Sequence, residues 1–485
     1  MKYRFNFRPI FPLMILLLVF SCKENGNRPI LSKEGVYKSI GYGRIVKIEN
    51  SEYFLADVTE ISCLPLKEGE ISEFGDALQF QNDTLSLEDG INTYYFRRIE
   101  DEPPVCKSGT QEYAKAESKT NDPEHNFEVL WKTFRDHYAY FELRNVDPDK
   151  MYKEYRPKVT SETTDAELFG IMYEMLESFN DGHIGISAPY EVEEAAIALM
   201  EKKTKTEEDV QPSERLSRRS VAEEVAEIYI KEGKTRHHDF VRWGIIDSTI
   251  GYLQLNQMAG YADYGIPDTL SIRDYYNAYN EMAENSINSG KDELDGLGLT
   301  LDEILENLGN TNTMIIDVRF NGGGNDEVGM AILERLNDTE KMVFTKKARL
   351  GDGFTPTIKV TQTASENPYK KPVYLLISTE SASATEIMAL SSLSMPNITR
   401  IGSRTEGVFS DVLDKTLPNG WEFGLSNEVY SDLQGNNYEG KGISPDIEIG
   451  YPRDAQKFLQ KVLSDLENDG DAAIEKVLEL VEAKK

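Results

Sequence analysis

Phe127, Leu130, Phe134, Tyr138 and Phe141 recur at intervals of three and four, and Leu168, Met172, Met175, Leu176 and Phe179 repeat the spacing. Side chains so spaced share one face of an α-helix, so residues 122–190 predict a small helical domain. Its turn signal, Asn180-Asp181-Gly182, delivers His183. Upstream, residues 36–105 carry short apolar runs (Tyr37, Ile40, Ile45, Val46, Phe54, Leu55) broken by Gly, Asn and Asp, the pattern of a small β-rich module. Residues 100–121, with Pro103-Pro104, read as a linker. Residues 191–245 are dominated by Glu, Lys and Arg without strand alternation, which predicts an exposed, charged helical insertion. Strand-like runs then recur at 250–255, 313–318, 373–378 and 398–401, separated by helical stretches at 272–285, 301–308, 326–336 and 385–393. That alternation predicts an α/β core over 246–452, with a hairpin at Pro418-Asn419-Gly420 and a helical tail over 453–485.

A chain of 485 residues exceeds one ordinary core, and 39% hydrophobic with 10% aromatic residues suffices to fill several. The formal charge of −31 repels nucleic acid and anionic lipid surfaces, so no nucleic-acid partner is expected. At the start, Lys2, Arg4 and Arg8 precede an apolar stretch from Phe11 to Phe20 that is too short to span a membrane comfortably. Leu18-Val19-Phe20-Ser21-Cys22 resembles the lipobox of bacterial lipoproteins. That resemblance implies a signal peptide over 1–21, lipidation of Cys22, a tether over 22–35 and a place in the cell envelope as an outer-membrane lipoprotein. Lys23-Glu24-Asn25 resembles the charged tract that sends some such proteins to the surface, and either the periplasmic or the surface face is open. Cys63 and Cys106 can pair in such an oxidising compartment or remain two buried thiols. The five histidines and three cysteines include no cluster of zinc spacing, so no metal is expected, and His237-His238 reads as surface.

Candidate chemistry lies in four segments. In Leu375-Leu-Ile-Ser-Thr-Glu-Ser-Ala-Ser-Ala-Thr-Glu-Ile387 a buried strand gives way to a helix start at Ser383. A hydroxyl there can act as a nucleophile, because free N–H groups and the positive dipole end favour the charge that develops in acyl transfer. A lone serine at this position is ordinarily an N-cap. Asp317-Val-Arg-Phe-Asn-Gly-Gly-Gly324 brings a strand into three glycines; the Lys-Ser/Thr of a phosphate loop is missing, and a backbone oxyanion hole from Gly322 or Gly323 with Ala384 fits better. Asp181-Gly-His-Ile-Gly185 supplies a candidate base, His183, and Glu439-Gly-Lys-Gly-Ile-Ser-Pro-Asp446 a candidate carboxylate, Glu439.

The order of these motifs over residues 122–450 resembles the tail-specific protease family, which also contains tricorn and the C-terminal processing proteases. The resemblance implies a crotonase-like α/β core beside a small helical domain, and serine proteolysis of protein or peptide substrates without cofactor. It places the nucleophile on Ser383 and not Ser381. The processing branch carries a lysine base where this chain has Val408 in Thr405-Glu-Gly-Val408, so the tricorn branch is the nearer, with His183 as base and Glu439 orienting it. Gly182 stands where tricorn has a serine, which favours a triad over a four-residue relay. The Gly-Leu-Gly-Phe carboxylate loop of a PDZ module is missing between His183 and Ile250. Two other functions are open to the same residues: an esterase of acylated glycans, against which stands the lack of a Gly-x-Ser-x-Gly elbow, and a non-catalytic peptide- or glycan-binding lipoprotein. Lys415 and Lys441 are rival bases, both expected in polar surroundings.

Overall fold

The computed structural model describes residues 33–107, 120–204, 215–230, 232–267, 269–286, 288–468 and 470–484. The lipobox and Cys22 lie outside them. The fold is mixed α/β. Its centre is a seven-stranded sheet in which Ile250–Leu255, Thr313–Asp317, Val373–Ile377, Ile398–Gly402 and Ile447–Glu448 run parallel, while Val241–Ile246 and Lys234–Arg236 extend one edge antiparallel. Thr313–Asp317 and Val373–Ile377 are buried at every position, as strands covered on both faces must be. Successive side chains go to opposite sides. Met314, Ile316, Val373, Leu375 and Ile377 pack with helices Ser289–Leu308, Asp326–Glu334 and Ala384–Ser392. Ile315, Tyr374, Leu376 and Ile401 pack with helices Arg218–Tyr229, Ala455–Asn468 and Ala472–Glu482. Each fully buried Leu or Ile contributes about 1.5–3 kcal/mol, so the two-sided core holds the sheet's carboxyl ends rigidly where the motifs sit.

Residues 191–245 depart from the expected exposed insertion. Val221, Ala222, Val225 and Ala226 form a buried stripe on helix Arg218–Tyr229, and Lys234–Arg236 with Val241–Ile246 are strands of the central sheet. On helix Arg218–Tyr229 the charged residues lie on the exposed or half-buried side, and four small apolar residues suffice to dock a helix on a sheet.

Upstream, seven antiparallel strands from Gly35–Ser39 to Asn92–Ile99 form a separate sheet around Tyr37, Ile48, Tyr53, Leu85 and Phe96. Cys63 and Cys106 are joined by a disulfide, which ties the fourth strand of this sheet to the segment leaving it. Helices Pro123–His137, Pro148–Tyr155 and Asp165–Glu177 form an aromatic core with Leu413, Trp421, Phe423 and Leu425 of the hairpin Val412–Thr416/Glu422–Ser426. The strand just after His183, Gly185–Ser187, pairs with Glu422–Ser426, which fixes the histidine turn against the core.

Candidate active site

Two of the motifs are stitched together by their own polar groups. Ser378 Oγ donates to the Arg319 carbonyl at 2.5 Å and Ser381 Oγ to the Val318 carbonyl at 2.8 Å, while Ala382 N–H donates to the Asn321 carbonyl at 3.3 Å. Asn321 shapes the glycine turn: its amide donates to the Leu255 carbonyl at 3.1 Å and its Oδ1 accepts from Gly323 N–H at 2.9 Å. Beneath lies a fully buried Arg319, held by Asp317 (2.6 Å), Asp471 (2.9 Å) and the Tyr451 hydroxyl (2.9 Å). The acid and arginine of Asp317-Val-Arg thus anchor the turn to the C-terminal helices and do not face the cleft.

Ser381 is fully buried and spent: its hydroxyl also accepts from Ser378 N–H at 3.0 Å. Ser383 differs. It heads helix Ala384–Ser392 with φ 53° and ψ −126°, makes no side-chain cap bond, and lines a cleft of about 350 Å³. Positive φ on a non-glycine residue costs on the order of 1–3 kcal/mol and marks a strained strand-to-helix turn. The strain is accommodated by Gly323, itself at φ 108°, because a Cβ there would stand 2.7 Å from Ser383 Cβ. Among the described residues, Ala384 N–H meets no acceptor. Gly323 N–H is occupied by Asn321, a correction to its expected part as an oxyanion donor; Gly322 lines a different cavity, and Gly324 is the glycine that borders the Ser383 cleft.

The segment after Thr405 passes beside the cleft, and four consecutive N–H groups are accepted by two buried carboxylates. Glu386 takes Gly407 N–H (2.8 Å), Val408 N–H (2.6 Å) and the Thr405 hydroxyl (2.5 Å). Glu439 takes Phe409 N–H (2.8 Å) and Ser410 N–H (3.2 Å), and its other oxygen accepts from Arg144 at 2.8 Å. Burial pushes the Glu386 carboxyl up to about 8 and Glu439 up to about 7; the hydrogen bonds to Glu386, and for Glu439 those bonds with Arg144, oppose the rise. Glu386 was missed in the sequence, although its place three residues after Ser383, on the same helix face, was the signal available.

His183 N–H donates to Asp181 Oδ1 (3.0 Å), which also accepts from Ser426, while Asp181 Oδ2 accepts from Tyr138 (2.8 Å). Val408 sits on Gly182, at ordinary contact distance from where a Cβ would be. Burial lowers the imidazole below its ordinary 6.5, against the opposing pull of Asp181 and the Ser410 carbonyl. Its Nδ1 is buried without a hydrogen-bond partner among the described residues. The expected Glu439–His183 bond is therefore not formed: the Glu439 oxygens go to Arg144 and two backbone amides. Ser410, next to the imidazole, also lines the Ser383 cleft. Lys415 is a second correction. It is buried, its pKa lowered by burial to about 8, and its ammonium is taken by Asp57 and the Tyr42 carbonyl of the N-terminal sheet. No group of three or more His, Cys, Asp or Glu able to hold a metal occurs among the described residues.

A strained, uncapped serine at a helix start, beside a glycine turn and opening on a cleft, is an arrangement that suits a serine hydrolase. Residues 249–449 match Peptidase family S41, and residues 119–177 match the Tricorn protease C1 domain. The chain is a serine peptidase of this family, of the tail-specific, tricorn-like type. Among solved structures, a protein from Parabacteroides merdae described as a candidate peptidase shares the fold, with a TM-score of 0.54 and 21% identity over 76% of this chain and 98% of that one. A lipoprotein from Streptococcus agalactiae aligns with a TM-score of 0.43 and 16% identity over 72% and 97% of the two chains. The tricorn protease aligns at 0.39 and 14% identity over 91% and 46%. No curated protein matches the chain.

Proposed function

We propose that this protein is a lipid-anchored peptidase of the cell envelope, built on a crotonase-like core, that cleaves extracytoplasmic proteins or peptides with Ser383 as nucleophile and His183 as base. The observation that carries the reading is the strained Ser383, its hydroxyl uncommitted in a cleft at a helix N-terminus. Ser383 Oγ attacks the scissile carbonyl, and His183 takes its proton and passes it to the leaving amine. The oxyanion is met by Ala384 N–H. The acyl-enzyme is then released by water, which His183 deprotonates in turn. No hydrogen bond joins the serine to the imidazole in the free protein, as is common before substrate seats. Glu439 acts as a positioning residue: it holds the Phe409–Ser410 backbone, which the imidazole faces. Cys22 supplies the lipid anchor.

A fluorophosphonate probe tests the chemistry. Wild type labels and hydrolyses casein in preference to a p-nitrophenyl ester, and Ser383→Ala does neither; labelling that persists in the alanine variant would refute the assignment. Incorporation of a palmitate analogue into wild type but not into Cys22→Ala tests the anchor, and an unlabelled wild type reduces Cys22 to an incidental residue.

A further inference from the structure

The Ser383 cleft is not built by the catalytic core alone. Asp89, Gly90, Ile91, Asn92 and Tyr94 line it, and they belong to the N-terminal sheet, which lies outside both family matches. They form the turn between strands Thr84–Asp89 and Asn92–Ile99, with Asp89 opposite Asn92 in the ladder. A two-residue hairpin turn favours positive φ at its first position, and Gly90 supplies it at 59°. The missing side chain has a second effect. A Cβ at Gly90 would stand 2.8 Å from the Glu327 carboxyl carbon, so the turn closes onto the start of helix Asp326–Glu334.

The turn is fastened in that place. Ile91 packs against the apolar cluster of Met330, Phe344, Phe409 and Tyr430. Asn92 Oδ1 accepts from the buried Lys346, whose ammonium also pairs with Glu428 at 2.8 Å, and Asn92 hydrogen-bonds the Asp411 carboxylate. Tyr42 of the same sheet donates to Glu428 at 2.6 Å. At a second point of the interface, Lys415 buries its charge on Asp57. Parting the sheet from the core would undo a buried ion pair and several buried hydrogen bonds at once, so the turn is a fixed wall and not a lid. The wall presents charge of one sign. Asp89 makes no ion pair among the described residues, and Glu327 is raised by burial and then by the negative charge of Asp89. Asp326 and Asp411 also line the cleft, and no lysine or arginine does among the described residues.

We propose that the N-terminal sheet is part of the substrate site: its Asp89–Asn92 turn is the wall against which a peptide lies beside Ser383, and Asp89 is a specificity-determining residue. With Glu327 across from it, Asp89 excludes acidic side chains from the stretch of peptide seated there. Like charges brought together in a partly desolvated cleft repel far more strongly than in open water. The sheet thereby decides which segments of an unfolded protein reach the nucleophile, and Lys346 acts as a positioning residue that holds Asn92 in the wall. The inference rests on reading Ser383 as the nucleophile.

The test measures binding apart from turnover. Fluorescein-labelled peptides of one uncharged sequence, with a single glutamate or glutamine moved along it, are titrated into the Ser383→Ala protein by fluorescence polarisation. At one or two adjacent positions glutamate binds at least ~10-fold more weakly than glutamine. Asp89→Asn, at an exposed residue and so without harm to the fold, cuts that ratio to about threefold or less. Glu52→Gln removes the same charge from an exposed site of the same sheet that does not line the cleft, and leaves the ratio unchanged. A benzoylphenylalanine at the sensitive position crosslinks to residues 89–94. A ratio near one at every position, a ratio that survives Asp89→Asn or falls equally in Glu52→Gln, or crosslinks confined to other walls overturns the proposal. Binding that tightens in Asn92→Ala would make the turn a plug and overturn it as well. Wild type that labels with fluorophosphonate and cleaves without regard to acidic side chains sinks the wall and leaves the nucleophile standing. Charge-graded binding by a wild type that never labels does the reverse.

Discussion

Replacing Arg144 by methionine separates two roles for Glu439. If Glu439 serves by orienting the imidazole, its arginine partner is incidental. If it serves by holding the Phe409–Ser410 backbone, Arg144 is what keeps it charged. Arg144 donates to Glu439 at 2.8 Å and stands 3.8 Å from Asp181; both carboxylate side chains are fully buried and the guanidinium is 13% exposed. Removing the cation leaves two acids facing each other without compensation. Breaking a buried pair costs about 3–5 kcal/mol, and the residual exposure of Arg144 places this case near the lower figure. Glu439, already raised to about 7 by burial and by Asp181, then takes a proton at neutral pH. A neutral carboxyl is the weaker acceptor, and losing one charge-assisted bond of about 1.5–3 kcal/mol loosens the strand that lines the cleft. A peptidase assay from pH 6 to 9 should find kcat/KM down by about tenfold or more at pH 7, since ~1.4 kcal/mol is one decade. Urea unfolding followed by tryptophan fluorescence should show the stability loss. An Arg144→Met protein of unchanged stability and full activity, beside an inactive Glu439→Gln, would refute the reasoning and return Glu439 to the imidazole.

Three further outcomes follow from the same geometry. Ser383→Ala abolishes turnover with an unaltered melting curve, whereas Ser381→Ala loses two buried hydrogen bonds and costs about 1–3 kcal/mol in stability, with activity reduced far less; the reverse pattern places the nucleophile two residues off. Because burial lowers His183, the acid limb of kcat/KM falls below 6.5 and vanishes with activity in His183→Ala. Lys415→Met should affect stability and not the limb, and a dead Lys415 variant beside an active His183→Ala would mean a lysine base. Glu386 and Glu439 are raised from 4.5 to about 8 and about 7, so the folded state retains protons that the unfolded chain releases, and the stability they contribute is whole below about 4.5 and lost as pH rises through 7 and 8. His137, lowered to about 3, and Lys415, lowered from 10.5 to about 8, act chiefly outside the window from 6.5 to 8, so unfolding there should ease by on the order of 2 kcal/mol with rising pH; a flat or rising urea midpoint would contradict the raised acids.

What was legible in the sequence is what local spacing controls. The apolar runs at Thr313–Asp317 and Val373–Ile377 announce strands covered on both faces, and the small residues flanking Ser383 announce a turn that needs room. Both follow from the chain's own neighbours. Helix Arg218–Tyr229 hides because Val221, Ala222, Val225 and Ala226 make a narrow stripe among charges, and strand Lys234–Arg236 because an edge strand can carry charge throughout. Harder still are pairings across long separations. Lys415 meets Asp57 from 358 residues away and Arg144 meets Glu439 from 295, so nothing near Lys415 foretells a buried ammonium, and nothing near Glu439 says which of its partners wins. The histidine, the serine and the glutamate were each found by motif, yet the contact expected between two of them is absent. Glu439 instead reaches the backbone that Glu386 holds from its other end, so the site's order depends on four amides, Gly407 through Ser410, shared between two carboxylates. Backbone N–H groups carry no residue identity. A motif can therefore point to a carboxylate without telling whether a side chain or the main chain is its partner, and here the main chain is.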